Sequence, residues 1–320
     1  MAKMTIDNLQ DYVEGYVAKA KQAGQWNKTS DNFIGLVDKI GKIVSLDGGF
    51  QDKLPELSGD TLPYGKTIEE YFIDLTLPTT YSNMTTEGAK DVVPAVPTVE
   101  DVAYSYTLGK SKIKTTEPYD NVERAAETAG DSAAMVGKIY QRLRDSYTMF
   151  VYGAKKQLIG NTCTKIEAAN NAALISQVAI PVDTETGEAF IEEVKKCVED
   201  ASFASEGNNL GNCLIGAAPS MTLYVKKGVM PSLQVKTLAG AFNKEDMGFD
   251  CKVKVIDDFG AYDGGAYAVL VDDRAIRLHE GYQATRTSEN ADGDFVNVVL
   301  HSEHTGFISK YAYVHEFKAN

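Results

Sequence analysis

Residues 128–160, TAGDSAAMVGKIYQRLRDSYTMFVYGAKKQLIG, are the stretch of sequence that decides the fold. Apolar residues recur in it at alternating steps of three and four: Met135/Val136, Ile139/Tyr140, Leu143, Tyr147, Phe150/Val151, Ala154 and Leu158. This spacing predicts a single long amphipathic helix with one apolar face. About 28 residues of helix would extend for about 40 Å. We therefore expect a spine with a sheet laid along it.

The ends of this helix and its glycines give further expectations. Thr128 and Asp131 can accept hydrogen bonds from the free N–H groups of a first helical turn. Two lysines in a last turn, followed by Gly160, predict that the helix ends there. Gly137 and Gly153 each cost about 1 kcal/mol relative to alanine inside a helix. We therefore expect neighbouring elements to approach the helix closely at both glycines.

Composition indicates a large globular protein. The 320 residues, 43% of them hydrophobic and 24% charged, are enough for a large core and for two domains. The sequence has no run of about 18 apolar residues, and its first residues lack the apolar region of a secretory signal. We therefore expect a protein that is made and used in the cytoplasm and has no membrane partner.

Net charge and cysteine spacing exclude two further classes. A net charge of −13 argues against a sequence-specific nucleic-acid reader, because such binding is supplied mainly by clustered Lys and Arg. The four cysteines have no C-x-x-C spacing and no neighbouring histidine: Cys163, Cys197, Cys213 and Cys251. This pattern predicts reduced, structural thiols rather than a zinc site or a disulfide framework.

The first 116 residues indicate two extensions. Apolar residues at helical spacing in 6–17 and 33–44 predict two short amphipathic helices, an arm with little of its own to pack on. Farther on, five of the nine prolines flank strand-like runs at 66–76 and 99–114, and the polar residues 79–97 predict a loop between them. Because a two-stranded ribbon alone is only marginally stable in water, we expect another surface to hold it.

The rest of the chain alternates strands and helices and then turns to strands. Apolar runs predict strands at 178–181, 213–216, 252–256 and 267–271, and helical spacing predicts helices at 188–202 and 220–227. This alternation indicates a compact α/β subdomain. The tail predicts strands at 274–287, 295–301 and 306–317. These late strands need earlier elements as partners.

Two polar clusters invite a metal interpretation that their geometry does not favour. His301 and His304 lie three residues apart, which on a strand places them on opposite faces. Asn290, Asp292 and Asp294 match the opening of a calcium loop, but its sixth and twelfth positions carry Phe and His. A hairpin turn fits this stretch better. We predict no metal-binding residue at either place.

No motif assembles a catalytic or cofactor site. Neighbouring carboxylates diverge on a helix or strand, so three such pairs predict solvated faces rather than acid–base dyads: Glu69/Glu70, Glu192/Glu193 and Asp257/Asp258. Residues 207–216, GNNLGNCLIG, have neither the dinucleotide-binding glycine spacing nor the Walker motif. We therefore predict no catalytic residue, no cofactor-binding residue and no cofactor.

The order of these parts resembles the major capsid proteins of tailed bacteriophages. The resemblance lies in the sequence of arm, ribbon, long helix, α/β subdomain and a closing β return that begins V-D-D-R-A-I-R-L at residues 271–278. It implies an α+β chain with the HK97-like capsid fold. The implied parts are an N-terminal arm (1–53), an extended β E-loop (54–116), a peripheral domain with the spine helix (117–180), an α/β axial domain (181–273), a peripheral-domain sheet return (274–304) and a C-terminal strand that returns to the axial domain (305–320).

The resemblance implies a structural protein and not an enzyme. Such a chain self-assembles into the pentamers and hexamers of an icosahedral phage head that encloses double-stranded DNA. Its expected location is the virion capsid, assembled in the host cytoplasm. Its expected partners are copies of itself, a separate scaffolding protein, a portal, decoration proteins and, by weak non-specific contact only, the packaged DNA.

Several alternatives stay open from sequence. Some members of the family join subunits by a Lys–Asn isopeptide bond, but no motif in this chain selects a pair. An encapsulin-type nanocompartment shell would share the fold. A carboxylate-dependent hydrolase in the α/β subdomain is the alternative from a different class.

Overall fold

A computed structural model of the chain describes residues 51–62, 68–73, 99–104, 107–118, 129–169, 171–214, 218, 220–230, 249–290 and 292–319. The two predicted arm helices and the predicted loop at 79–97 lie outside these ranges. The chain divides into two compact units. The first comprises Met1–Tyr64, Thr107–Ala154 and His279–Thr305, and the second Gly65–Tyr106, Lys155–Leu278 and Gly306–Asn320.

The regular elements of the described residues are two α-helices and ten strands. The helices are α1 (Ala129–Ala169) and α2 (Thr184–Asp200), and 3-10 turns lie at Pro55–Leu57 and Ala172–Leu174. The strands are β1 (Ile68–Ile73), β2 (Val99–Tyr104), β3 (Thr107–Pro118), β4 (Ile175–Gln177), β5 (Met221–Lys226), β6 (Lys252–Ile256), β7 (Ala266–Asp272), β8 (Ile276–Asn290), β9 (Phe295–Ile308) and β10 (Val314–Lys318). None of the described helices has the length and apolar character to span a membrane.

The long helix is present but continues past its predicted end. α1 has 41 residues, which gives a length of about 60 Å. Gly160 does not end it. A Cβ at Gly160 would lie 2.1 Å from the carbonyl oxygen of Phe259, so this glycine permits a close approach inside the helix. The close approach predicted at Gly153 is wrong, because no neighbouring side chain or element of the described residues lies within 4 Å of its Cβ position.

The predicted apolar face of α1 is buried in part: Tyr147, Phe150, Val151 and Ala154 are half-buried. Ile139, Tyr140, Leu143 and Leu158 are all buried. Beyond the predicted end, Cys163 and Ile166 are also buried. Burial along the helix therefore extends farther than the glycine signal suggested.

The second unit is built on a mixed five-stranded sheet in the order β4-β10-β7-β5-β6. The inner pairs β10–β7 and β7–β5 are antiparallel, and the outer pairs are parallel. α2 packs on this sheet through Phe190, Val194 and Cys197, as predicted, against residues such as Leu223 and Phe317. α2 begins four residues before its predicted start because Asp183 forms a capping box with Thr186.

Three sequence predictions in this unit are wrong. Within 220–227, which was predicted to be a helix, Met221–Lys226 form strand β5. Met221 to Val225 are all buried between β6 and β7, and a short apolar run cannot be assigned to helix or strand by periodicity alone. The strand predicted at 178–181 lies instead at β4. Residues 213–214 are not in a strand, and 215–216 lie outside the described residues.

The first unit contains a three-stranded sheet in the order β3-β9-β8. β3 and β9 are antiparallel, in register from Lys110 opposite Glu303 to Pro118 opposite Phe295. The run 99–114 was predicted as one strand, but it divides into β2, which pairs with β1, and β3, which pairs with β9. Gly109, with a φ of 87°, lies at a register shift near the start of β3.

The bounds of the C-terminal strands also differ from the predicted ones. β8 and β9 are longer than predicted, and the run predicted at 306–317 divides between the end of β9 and β10. The turn between β8 and β9 is confirmed. Asn290 Oδ1 accepts hydrogen bonds from the backbone N–H groups of Asp292 and Gly293, as a turn residue does.

Candidate functional site

The β1–β2 ribbon is fixed at its root to the segment before β10. The Glu70 carboxylate accepts hydrogen bonds from the Ser309 hydroxyl and from the backbone N–H of Lys310, the latter at 3.3 Å. The ring of Phe72 stacks on that of Tyr311, with centroids 4.9 Å apart. One face of β1 is therefore held by the second unit itself.

The opposite face of β1 is open. Tyr71 is 64% exposed and Ile73 is 60% exposed. The Tyr71 hydroxyl donates a hydrogen bond to Glu69 at 2.8 Å, on the same face. We call Glu69, Tyr71 and Ile73 the outer ribbon face. Two large apolar side chains that are both exposed to solvent on one strand face indicate a surface that contacts another protein.

The V-D-D-R stretch holds the end of β7. Asp272 is 1% exposed and accepts hydrogen bonds from the backbone N–H and the guanidinium of Arg274. Asp273 accepts at 2.6–2.7 Å from three side chains, those of Ser220, Thr222 and Lys252. Burial raises the pKa of the Asp273 carboxyl, but these hydrogen bonds outweigh it and lower the pKa below its usual value. Both aspartates are thus engaged in structural contacts.

A second carboxylate cluster joins α1 to β10. The Tyr262 hydroxyl hydrogen-bonds with Glu316 and, at 2.8 Å, with Glu167, and Lys318 donates to Glu167. Glu316 has no exposed surface, and burial raises its pKa above the ordinary value despite the hydrogen bonds to Tyr262 and Lys318. A substrate cannot reach a side chain so enclosed. The cluster acts as a polar link inside the second unit.

Two of the neighbouring carboxylate pairs differ in the directions of their side chains. Glu69 and Glu70 diverge to opposite faces of β1, as predicted. Asp257 and Asp258 do not simply face solvent. They converge on Lys156 of α1, whose Nζ donates to them at 2.7 and 3.0 Å. Burial by itself lowers the pKa of Lys156, but the two carboxylates raise it above the ordinary value.

The two histidines lie on opposite faces of β9, as predicted. His304 is buried and its Nε2 lies 3.0 Å from the Tyr147 hydroxyl, which also donates to Glu280. His301 is half-buried on the other face. Within the described ranges, no three His, Cys, Asp or Glu side chains are grouped so as to hold a metal ion.

The cysteines are thiols in this structure, in which all four are described. Burial raises the pKa of Cys197 to about 12 and that of Cys251 to about 11. Burial also raises the pKa of Cys163. Thiols held in the protonated state are poor nucleophiles, so the structural role predicted for Cys163, Cys197 and Cys251 is supported.

Sequence reasoning missed the contacts that organise the ribbon root. Glu70 and Ser309 are 239 positions apart, and no local pattern pairs residues at that separation. The buried Asn209 was also missed. Its side chain organises the glycine-rich stretch by hydrogen bonds with Gly211 and Cys213. A single sequence does not indicate which of its asparagines will be buried.

Known proteins similar to this chain come from bacteriophages. A model of the Phi29-like phage major capsid protein family matches residues 4–317. The major capsid protein of Bacillus phage PZA is 26% identical over 289 residues, covering 88% of this chain and 62% of that protein. The corresponding share of the Bacillus phage GA-1 protein is 56%. The chain thus spans less than two thirds of the length of these curated relatives.

Solved structures share the fold. A chain in the capsid structure of Staphylococcus phage Andhra is 12% identical with a TM-score of 0.63, and the similarity covers 86% of both chains. A chain in the structure of the head fiber and inner core protein gp22 of native bacteriophage P68 is also 12% identical, with a TM-score of 0.64 and 86% of both chains covered. The HK97-like fold implied by the sequence is confirmed.

Proposed function

Since the chain belongs to the Phi29-like phage major capsid protein family, we propose that it assembles with copies of itself into the pentamers and hexamers of an icosahedral phage head. The shell encloses double-stranded DNA, and the subunit resides in the virion after assembly in the host cytoplasm. Its role is structural and uses no catalytic residue. A separate scaffolding protein, a portal and decoration proteins are the other partners of this proposal.

The observation that carries the proposal is the outer ribbon face. The ribbon is fixed on one side by Glu70 and Phe72, yet it presents Tyr71 and Ile73 to solvent on the other. A second copy of the chain would cover this face, and the same contact repeated from copy to copy closes a ring. This supports a subunit that completes its own surface only in an assembly.

In this proposal the described elements take the parts implied by sequence. The β1–β2 ribbon serves as the E-loop. The three-stranded sheet and the adjoining part of α1 serve as the peripheral domain, and the five-stranded sheet with α2 serves as the axial domain. Residues 107–116 fall in the E-loop range by sequence, and in this proposal they belong to the peripheral domain instead, since β3 pairs with β9.

The experiment is an assembly assay on the outer ribbon face. The full chain, with its scaffolding protein co-expressed, is examined by sedimentation velocity and negative-stain electron microscopy. We expect rings or shells from the natural sequence and only small species from Tyr71→Ser/Ile73→Thr. Tyr71→Phe is the matched control, since it keeps the ring and removes the hydroxyl that donates to Glu69, and it should still assemble.

Two results would count against the proposal. A natural chain that stays monomeric at every concentration, even with scaffold, would oppose the shell. Normal assembly of the double variant would show that the outer ribbon face is not a subunit contact. Particles that take up an enzyme cargo in place of DNA would instead favour the encapsulin alternative.

A further inference from the structure

One face of the three-stranded sheet carries a row of positive charges. Lys110, Lys112 and Lys114 alternate along β3, so their side chains share one face at intervals of about 7 Å. All three are exposed. On β9, Glu303 lies opposite Lys110, and His301 lies opposite Lys112. The stretch K-S-K-I-K thus places three cations in line on a regular strand.

β8 adds a fourth cation to the same face. Arg286 and Tyr282 of β8, Lys110 of β3, and His301 and Glu303 of β9 line one cavity of about 380 Å³. Arg286 is exposed and Tyr282 is 43% exposed. We call this set, with Lys112 and Lys114, the basic sheet face. It lies entirely within the first unit.

The charges of the basic sheet face are poorly balanced. Glu303 is the one carboxylate among the residues that line the cavity, and it lies 3.5 Å from Lys110 Nζ. Among the described residues, neither Lys112 nor Arg286 forms a salt bridge. Lys114 Nζ lies 5.7 Å from the centre of the Phe295 ring. A concentration of positive charge on a chain of net charge −13 is a local feature that the overall balance conceals.

The composition of this face identifies the class of its ligand. The buried centres of protein interfaces are depleted in lysine and other charged residues. Surfaces that bind nucleic acid are polar and strongly positive, and most of their contacts go to phosphate oxygens from Lys, Arg and hydroxyl groups. Single-strand binders also stack several bases on aromatic rings, whereas Tyr282 is the one Phe, Tyr or Trp among the residues that line the cavity.

We propose that the basic sheet face binds the phosphate backbone of duplex nucleic acid without reading its sequence. This inference relies on the proposed function only for the identity of the duplex as the DNA inside the head. Its chemistry stands on the sheet alone. It gives the expected weak, non-specific DNA contact a location, and it assigns Lys112 and Arg286 as the cations most available to phosphate.

Salt dependence of duplex binding tests the proposal. The full chain is titrated into a fluorescently labelled mixed-sequence duplex of about 24 base pairs, and anisotropy is followed between about 50 and 200 mM salt. Each neutralised phosphate contributes about −0.9 to the slope of log K against log salt. The Lys112→Gln/Arg286→Gln variant should bind at least about tenfold more weakly at low salt and show a slope smaller in magnitude by about 2.

The control removes the same charge elsewhere. Lys196→Gln/Lys227→Gln changes two exposed lysines of the second unit and removes the same net charge as the test variant. It should bind within about twofold of the natural chain, because both lysines lie outside the basic sheet face. Circular dichroism and the midpoint of thermal unfolding establish that both variants fold. Equal loss of binding in both variants would overturn the proposal, since the effect would then belong to net charge.

Four further outcomes decide the question. Absence of salt-dependent binding by the natural chain would overturn the proposal. So would competition by polyglutamate as effective, charge for charge, as unlabelled duplex, because the face would then suit an acidic protein segment. A Lys112/Arg286 variant that loses assembly but keeps duplex binding would also overturn it. Duplex binding by a chain that never assembles would leave this inference standing and count against the shell.

Discussion

The five-stranded sheet of the second unit and the three-stranded sheet of the first unit differ in the solvent exposure of their faces. Every residue of β7 is buried, so neither face of the sheet meets water at its centre. In β9, buried and half-exposed residues alternate from Val298 to Gly306, and β3 beside it exposes a row of lysines. One sheet is closed on both faces at its centre, and the other keeps one face for contacts.

This difference means that the residues that stabilise the fold and the residues that make contacts lie in different sheets. Burial of apolar surface supplies most of the favourable free energy of folding, so substitutions in the closed sheet should act mainly on stability. Substitutions on the open face should act mainly on contacts. Four measurements can break or sharpen this contrast.

The largest effect is expected at the centre of the closed sheet's core. Phe190 is fully buried, with its ring centre 5.4 Å from that of Tyr267 and 5.5 Å from that of Phe317. Phe190→Ala should lower the free energy of unfolding by about 3–5 kcal/mol, measured by urea denaturation. Phe203→Ala, at a side chain that is 66% exposed, should change it by less than about 0.5 kcal/mol. Similar losses from both would contradict the contrast.

The next effect is a pH dependence inside the same sheet. Burial lowers the pKa of His315 to about 4, against an ordinary value of 6.5. Between these values the unfolded chain binds the extra proton, so the free energy of unfolding should fall as pH falls through this window, by up to about 3 kcal/mol. His315→Gln should remove that part of the slope. Parallel stability curves for the variant and the natural chain would show that His315 does not contribute.

The two glycines of α1 offer a matched pair across the two units. Gly160→Ala places a methyl group against the backbone of Phe259 and should cost about 1–3 kcal/mol of unfolding free energy. Gly153→Ala meets no neighbouring group within 4 Å and should add about 0.5–1 kcal/mol, because alanine favours the helix. Thermal unfolding of the two variants in opposite directions is the expected result; a shift of the same sign would contradict it.

The smallest effect is expected on the open face. Lys112→Gln/Arg286→Gln should change the free energy of unfolding by no more than about 0.5 kcal/mol, because both side chains are exposed and neither forms a salt bridge among the described residues. Urea denaturation checks this. A loss above about 2 kcal/mol would mean that the basic sheet face belongs to the folding core after all.

Much of the fold was predictable where a pattern has one interpretation. The 3.6-residue spacing predicted α2 and part of the buried side of α1, and bounded apolar runs predicted β6 and β7. The misses occur where a local signal has two meanings. Gly160 can end a helix or admit a neighbour, and the run at 221–226 suits a buried strand or a helix equally. Tertiary packing, which no local window contains, decides between them.

The candidate site was predictable in part for the same reason. The ribbon was predicted from prolines and strand-like runs, but its attachment through Glu70 depends on a residue near the other end of the chain. The lysines of β3 did carry a signal, because an alternation of period two puts them on one face. Averaging charge over the whole chain concealed it.

The pairing of β1 with β2 has a practical consequence. Ile73 and Val99 are register partners, so the 25 residues from 74 to 98 leave and re-enter the ribbon at a single point. A guest domain whose own termini adjoin each other could replace that segment without disturbing the strands or their hold on Tyr311. In a particle of many identical subunits, this point would serve for the display of foreign antigens or enzymes in regular array.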